Sequence, residues 1–454
     1  MRLSDAARAI GGEVVGADVP FASVGSDTRS LSPGTLFVAI RGERFDGHDF
    51  VATAQSAGAA AALVSAAWAR SNAVALPLLC VDDPRLALGR LAAAWRRGFA
   101  FPVVSVVGSN GKTTVKEMIA SCLREQYGAA ATFATVGNLN NDIGLPLSVL
   151  ALRDTHRVAV LEMGMNHPGE TAWLASIAQA TVALVNNAQR EHQEFMKSVE
   201  DVAREHGASF AALPADGIAV INADDAYAEH WRAVAAPRRV LAFSLEQRVD
   251  VRCLEHALAP DGARARIALP GGTADVRLAI PGLHNVRNAL AAAAAASAAG
   301  ATPEAVARGL GAFRPVKGRL QVGRGVRGAT VIDDSYNANP DSVLAAIDVL
   351  AAAAGTRVLV LGDMGEVGEQ GAAFHDEVGR QARMRGVHHL LAAGELAREA
   401  ARAFGPGGEH FDDVAALASR ARSLATPDAT LLVKGSRFMR MERVVAALGE
   451  GGAH

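Results

Sequence analysis

The stretch "VVSVVGSNGKTTVKEMIA", residues 103–120, constrains the fold more than any other part of the chain. Val103, Val104, Val106 and Val107 form a short β-branched run of the kind buried in a sheet. Gly108, Ser109, Asn110 and Gly111 then turn into Lys112, Thr113, Thr114 and a helix-like stretch. Strand, glycine loop and helix in that order make a phosphate cradle. The glycines let backbone amides point inward, and the helix adds the positive end of its dipole. Lys112 can bridge outer phosphates, and the Thr113 hydroxyl can bind Mg²⁺. The common loop has four residues between its glycines; here there are two, Ser109 and Asn110. The loop implies nucleotide binding but does not name a reaction, since a kinase, an ATPase motor or a ligase could use it.

The rest of the chain extends this unit into an α/β protein of three domains. At 454 residues the chain is too long for one core. Residues 1–97 carry short strand candidates, two helix patterns and the polar loop "RGERFDGHD". From 98 to 314, strands such as "RVAVLEMG", "TVALVNNA" and "GIAVINADD" alternate with helical patterns, the signature of a parallel sheet wrapped by helices. From 315 to 454 the alternation restarts with "ATVIDDSY", "TRVLVLGDM", "HHLLAAG" and "TLLVKGS", a smaller Rossmann-like unit. The tail "GEGGAH" reads as disordered.

Charge and composition exclude several roles. Lys plus Arg is 45 against Asp plus Glu at 47, which leaves no footprint for nucleic acid or an anionic membrane. The cysteines Cys80, Cys122 and Cys253 match no zinc or redox spacing and read as reduced thiols of a cytoplasmic protein. The start has no signal-peptide core. The uncharged stretch 50–69 reads as a helix followed by the buried strand "AALV", and 288–301 as a packed alanine-rich helix, so no membrane insertion is expected. No segment shows a surplus apolar face, which makes a monomer the expectation.

Polar residues gather where strands run out: Glu162, Asn186, Asn187, Asp333, Asp334, Asp363 and Lys434. Ligands of open α/β sheets bind beyond the carboxyl ends of strands, so these positions can converge on one crevice. Any single one can equally be an ordinary polar loop residue. Glu162 can hold Mg²⁺ or orient its waters, or simply face water. A lone histidine such as His192 is more often structural than a ligand, and spacing alone does not select it.

Together these residues resemble the Mur ligases, which assemble the peptide of bacterial cell-wall precursors with ATP. "GSNGKTTVKEM", "GNLNNDIGLPL", the Glu of "LEMG", "NN" before "EH", "PGLHNVRNALAA", "GRLQ", "DDSYNANPDS", "GDMGEVG" and "KGSR" fall in the family's order and span nearly the whole chain. "SDTRSLSPGTLFVAIRGERFDGHDF", "GNLNNDIG" and "DDSYNANP" resemble the branch that adds D-alanyl-D-alanine to UDP-N-acetylmuramoyl-tripeptide. The Thr-Thr-Pro and Asp-Asn-Pro-Arg motifs expected of the branch adding the third residue are missing.

The resemblance implies a fold, a reaction and roles. The first domain would hold the UDP end of the substrate, the second ATP, and the third would close over both. The γ-phosphate would pass to the tripeptide carboxylate, and the amine of D-alanyl-D-alanine would attack the acyl phosphate. Residues 108–114 would bind the phosphates, with Thr113, Glu162 and His192 on Mg²⁺ and Lys112, Glu162 and His192 at the chemistry. Asn285 and Asn288 would face the adenine, although Asn capping a helix start explains them as well. Arg319 and Asp334 would reach the ribose or phosphates. Thr28, Arg29, Asp46 and His48 would contact the uridine end, and Asn140 and Asn141 the sugar-peptide portion. Asn337, Asn339, Lys434, Ser436 and Arg437 would line the closing face near the incoming dipeptide, with turn-making an equal alternative.

One segment departs from the family's pattern. A lysine is expected after the metal-binding histidine in a V-A-x-x-K-G-E context, where CO₂ carbamylates it and the carbamate helps place a second Mg²⁺. Here "DVAREHGASF" puts His206 at the lysine and Ala208 at the glutamate. Lys197 is nine residues earlier and, on a helix, would face elsewhere. The carbamate is therefore expected to be absent, with Glu191 and Glu205 as nearby carboxylates. "QREHQEF" also departs from the usual "HLE". Two rival readings remain: another ligase of the superfamily, such as a folylpolyglutamate synthetase, and a regulator that binds ATP without joining anything.

Overall fold

Three successive segments of unequal length each build their own sheet in the computed structural model, which describes residues 1–42 and 44–449. Most of the glycine-rich tail therefore lies outside the described residues, as does Glu43 of the polar loop. Among the described residues the first sheet has five strands, ordered Glu13–Val15, Leu78–Val81, Ala61–Ser65, Thr35–Val38, Ser23–Gly25. Only the Glu13–Val15 strand runs antiparallel to its neighbour. The uncharged stretch after Phe50 is a short helix, Val51–Ser56, followed by the strand Ala61–Ser65, buried from Ala61 to Val64, as its composition predicts.

The central sheet has nine strands. Six run parallel in the order Thr132–Ala134, Val158–Glu162, Val103–Val107, Val182–Val185, Ile218–Asn222, Arg239–Ser244. Strand Val251–Ala259 continues in parallel, and an antiparallel meander through Gly262–Leu269 and Gly272–Leu278 closes that edge. Val103–Val107 is an interior strand, third from the Thr132–Ala134 edge and buried along its length, so the loop that follows it opens at the sheet's carboxyl edge. Helix Lys112–Tyr127 packs on the alanine-rich helix Leu283–Ala298. Ala289 to Ala296 have no exposed surface, because small side chains let a helix approach the sheet on one side and other helices on the rest.

The third sheet orders Gln321–Arg324, Thr330–Asp334, Ala429–Lys434, Thr356–Gly362, His389–Ala393, Gly408–Phe411, parallel except for the first strand. Its helices start on recognisable caps. Asn339 forms a capping box with Ser342 ahead of Pro340, and Asp413 accepts from two amides. The joint between the first two domains is a helix rather than a bare linker. Pro84–Arg96, capped by Asp83, packs on central-domain helices. Trp95 Nε1 donates to Leu152 O at 3.1 Å, and Arg96 donates to Ala178 O and Gln179 O at 3.2 Å. No helix among the described residues is long and apolar enough to cross a membrane.

Candidate active site

The short loop owes its shape to two glycines. Gly108 has φ +139° and Gly111 φ +83°, and a Cβ on Gly111 would stand 2.6 Å from Asn288 Oδ1. The helix begins at Lys112, so its free amide groups face the loop. Asn110 N donates to Asn187 Oδ1 at 2.8 Å, and Asn186 Nδ2 donates to Asn110 O at 2.8 Å. The paired asparagines after strand Val182–Val185 thus hold the loop from outside. Lys112 Nζ donates to Gly108 O and Ser109 O and meets Glu191 Oε2 at 3.2 Å.

Glu162 ends the neighbouring strand and is buried. Its Oε1 accepts from Thr113 Oγ1 at 3.1 Å and from Asn140 Nδ2 at 2.7 Å. Its Oε2 is buried and accepts no hydrogen bond, with Lys116 Nζ 4.0 Å away. An orphaned carboxylate oxygen beside a threonine hydroxyl suits a hard cation. No group of three or more His, Cys, Asp or Glu among the described residues is placed to hold a metal unaided, so phosphate and water would supply the other oxygens. Arg319 Nη2 donates to Thr113 Oγ1 at 3.3 Å, and its guanidinium stacks 4.2 Å from the Tyr336 ring centroid.

Two cavities meet at this loop. One, of about 400 Å³, is lined by Asn285, Asn288, Arg319 and Asp334 together with His284 and Glu246. Asn288 Nδ2 donates to Asn285 Oδ1 at 2.9 Å, and Asn285 Nδ2 donates to Pro281 O at 2.7 Å, so both side chains are fixed. Burial, then the charges of Lys434 and Arg287, lowers the His284 pKa to about 4. The other cavity, about 860 Å³, runs from the loop past Glu162, Asn140, Asn141 and His192 to Asn337, Asn339, Lys434, Ser436 and Arg437 of the third domain. Lys434 donates to Asp334 Oδ2 at 2.6 Å and Asn337 O at 2.9 Å. Ser436 Oγ accepts from Gly365 N at 2.6 Å, and Asn339 Nδ2 donates to Asn110 Oδ1 at 2.9 Å across the domain boundary. Arg437 pairs with Glu442 at 3.0 Å. Asn141 Oδ1 accepts from Gly144 N at 2.8 Å and shapes the start of a helix.

The uridine-end candidates do not line either cavity. His48 is buried: Ser65 N donates to its Nε2 at 2.9 Å, which leaves Nδ1 to donate to Asp46 Oδ1 at 2.6 Å. Arg29 pairs with Asp27 at 2.7 Å on the exposed surface, next to Thr28.

The segment 189–194 sets two further charged side chains, Arg190 and Glu191, beside the candidate His192. Arg190 donates to Asp341 Oδ1 at 2.6 Å and Glu377 Oε2 at 2.7 Å, tying the central domain to the third. His192 Nδ1 lies 2.5 Å from Glu366 Oε2, also of the third domain, and His192 and Glu366 have φ +50° and +56°. Backbone held in the left-handed region costs non-glycine residues roughly 1–2 kcal/mol. Glu191 Oε1 is 3.0 Å from His206 Nε2, and its Oε2 is 3.6 Å from His192 Nε2. Burial alone would raise the Glu191 carboxyl, but Lys112, His206 and His192 bring its pKa down to about 2. Lys197 stands before the Ser198 cap, outside the helix Val199–Ala211 that carries His206, and is exposed. The extra charges in "QREHQEF" were the available signal; their partners on "DMGEVG" and "NPDS" are far away in sequence.

Models of the Mur ligase middle domain, the Mur ligase glutamate ligase domain and the Mur ligase family catalytic domain match residues 106–296, 318–437 and 20–96. UDP-N-acetylmuramoyl-tripeptide–D-alanyl-D-alanine ligase of Escherichia coli is 43% identical, over 99% of this chain and 98% of that one. A crystal structure of MurF from Acinetobacter baumannii superposes with a TM-score of 0.88 at 32% identity, covering 98% of this chain and 97% of that chain. MurF ligase from Thermotoga maritima in complex with ADP superposes at 0.80 and 26% identity, covering 94% and 96%. The chain belongs to the Mur ligase family and groups with its UDP-N-acetylmuramoyl-tripeptide–D-alanyl-D-alanine ligases.

Proposed function

We infer that this chain is an ATP-dependent amide ligase that adds D-alanyl-D-alanine to UDP-N-acetylmuramoyl-tripeptide in peptidoglycan precursor synthesis. The observation that carries this reading is the end-to-end 43% identity to a ligase of that name. The cleft supports it chemically. A carboxylate is a poor electrophile near neutral pH, and phosphorylation makes one of its oxygens a good leaving group. The tripeptide carboxylate oxygen bonds to the γ-phosphorus as ADP departs. The dipeptide amine then bonds to the acyl carbon and loses a proton, and phosphate leaves with the carboxylate oxygen.

Both reactants are anionic, so positioning and charge neutralisation do most of the work. The loop amides of 108–114 and the Lys112 ammonium would grip the phosphates once Lys112 leaves its backbone acceptors. Thr113 and the free Oε2 of Glu162 would hold Mg²⁺, which neutralises phosphate charge; His192 would stand at the edge of that shell, turned by Glu366. Asn285 and Asn288 would meet the base, and Arg319 and Asp334 the ribose or phosphates. Asn140 orients Glu162 directly, so it would act on the cation as well as on the sugar-peptide. Lys434, which Asp334 and Asn337 fix in place, would face the dipeptide with Asn339, Ser436 and Arg437. Thr28, Arg29, Asp46 and His48 would form the uridine end, with His48 shaping its loop. Contacts of Arg190 and His192 with the third domain would keep water from the acyl phosphate. A cytoplasmic monomer with domain limits near 97 and 314 completes the reading.

The test is phosphate release from ATP and Mg²⁺ with the UDP-tripeptide, with and without D-alanyl-D-alanine. Sustained release that needs both substrates is expected. Release that persists without the amine, or no release at all, would instead favour the ATP-binding regulator.

A further inference from the structure

We propose that Glu191, held by His206, is a fixed anionic group of the nucleotide site and serves a divalent cation there without a carbamylated lysine. The proposal rests on the reading of the cleft as an ATP site.

Glu191 is 6% exposed and lines the larger cavity beside Lys112, Thr113 and Glu162. A buried carboxylate is costly unless paired. Its two oxygens divide their partners: Oε1 meets His206 Nε2 at 3.0 Å, and Oε2 meets Lys112 Nζ at 3.2 Å. His206 is 1% exposed, and its Nδ1 has no hydrogen-bond partner. The polar contact its ring makes is therefore the one to Glu191. The helix beneath is anchored by the Ser198 cap and by Trp231 Nε1 donating to Ala203 O at 2.9 Å. A rigid donor behind one oxygen leaves the other aimed at the phosphate loop, the usual way an outer side chain orients a ligand.

Carbamylation needs a sheltered lysine, and the chain's five lysines leave none free for it. Lys112 belongs to the loop. Lys116 donates to Thr135 O at 2.7 Å, and Lys434 to Asp334 at 2.6 Å. Lys197 and Lys317 are exposed and line neither cavity. Glu191 already carries what a carbamate would supply, two oxygens sharing one negative charge, and needs no CO₂ to form it. When Lys112 turns to the phosphates, Oε2 loses its present partner and is left as a hard oxygen donor for a cation bound with them.

The experiment uses the full chain and its E191Q, H206A, H206Q and K112A variants. Turnover, binding of Mn²⁺ in the presence of β,γ-methylene-ATP (by electron paramagnetic resonance) and melting temperature are measured for each. E191Q, nearly isosteric, should lose about 10–100-fold in kcat, weaken Mn²⁺ binding by a similar factor and melt like the parent. H206Q, which keeps a donor for Oε1, should retain more of both than H206A. The parent enzyme should turn over equally well in CO₂-depleted and bicarbonate-containing buffer. An E191Q variant with parental turnover and Mn²⁺ affinity, beside an inactive K112A, would overturn the proposal while leaving the ATP site intact. Parental activity lost on CO₂ removal and restored by bicarbonate would overturn it too. A parent chain with no ligase activity would instead sink the reading on which the proposal rests.

Discussion

Two segments meet at Lys112, and they are built by different means. The loop 108–114 is a backbone device. Its glycines, its position at the end of strand Val103–Val107 and the helix behind it fix where the amides point, with Asn186 and Asn187 bracing it from the next strand. The segment 189–194 is a side-chain device. Arg190, Glu191 and His192 take their geometry from Asp341 and Glu377, from His206 and Lys112, and from Glu366. A site made of backbone survives sequence drift if its glycines do. One made of distant side-chain pairs can be rebuilt whenever both partners change.

The largest expected effect tests the loop. Lys112→Ala removes a charged donor aimed at the transferring phosphate and should cost roughly 10²–10³-fold in turnover. The melting temperature should fall only partly, because Glu191 Oε2 loses its buried partner while Oε1 keeps His206. A near-parental rate would break the loop half of the comparison.

A smaller loss tests the segment. Arg190→Ala removes a forked pair to Asp341 and a contact to Glu377, together worth about 2 kcal/mol of preference for the closed arrangement, or roughly thirtyfold in its population. Small-angle scattering with nucleotide bound should show a more open particle, and turnover should fall with it. Unchanged scattering and rate would mean that the segment does not latch the domains.

The smallest effect belongs to neither segment and calibrates both. His284 has a folded pKa of about 4 against an ordinary 6.5. In the unfolded chain it takes up a proton as pH falls through 6.5, while the folded chain resists until about 4. The unfolded state then binds more protons, so this contribution is present above 6.5 and is lost as pH falls toward 4. Thermal melts of parent and His284→Gln at about pH 7 and pH 5 should show the parent losing more stability on acidification. Equal losses would remove His284 from the account.

How much the sequence revealed follows the same division. The valines of 103–107 and the alternation of strands and helices are local signals, and the three sheets appear where they point. Strand-end polar residues such as Glu162, Asp334 and Lys434 do converge on one cleft, because parallel strands bring their carboxyl ends to one edge. The role of Arg190 was not legible, and Glu191 could be named only as a nearby carboxylate, without its partners. Nothing within a few residues of either says that a helix carrying His206 or a helix start carrying Asp341 will face it. Asn140 shows the same limit: its motif is visible, but its bond to Glu162 depends on two separate strands meeting side by side.

The central claim is that the short loop activates a carboxylate. It is tested most directly by labelling the terminal carboxylate of UDP-N-acetylmuramoyl-tripeptide with ¹⁸O and weighing the phosphate released during ligation. One labelled oxygen carried into each phosphate is the expected result, since the acyl phosphate's bridging oxygen leaves with phosphorus. Product formed with no label in the phosphate would contradict the account.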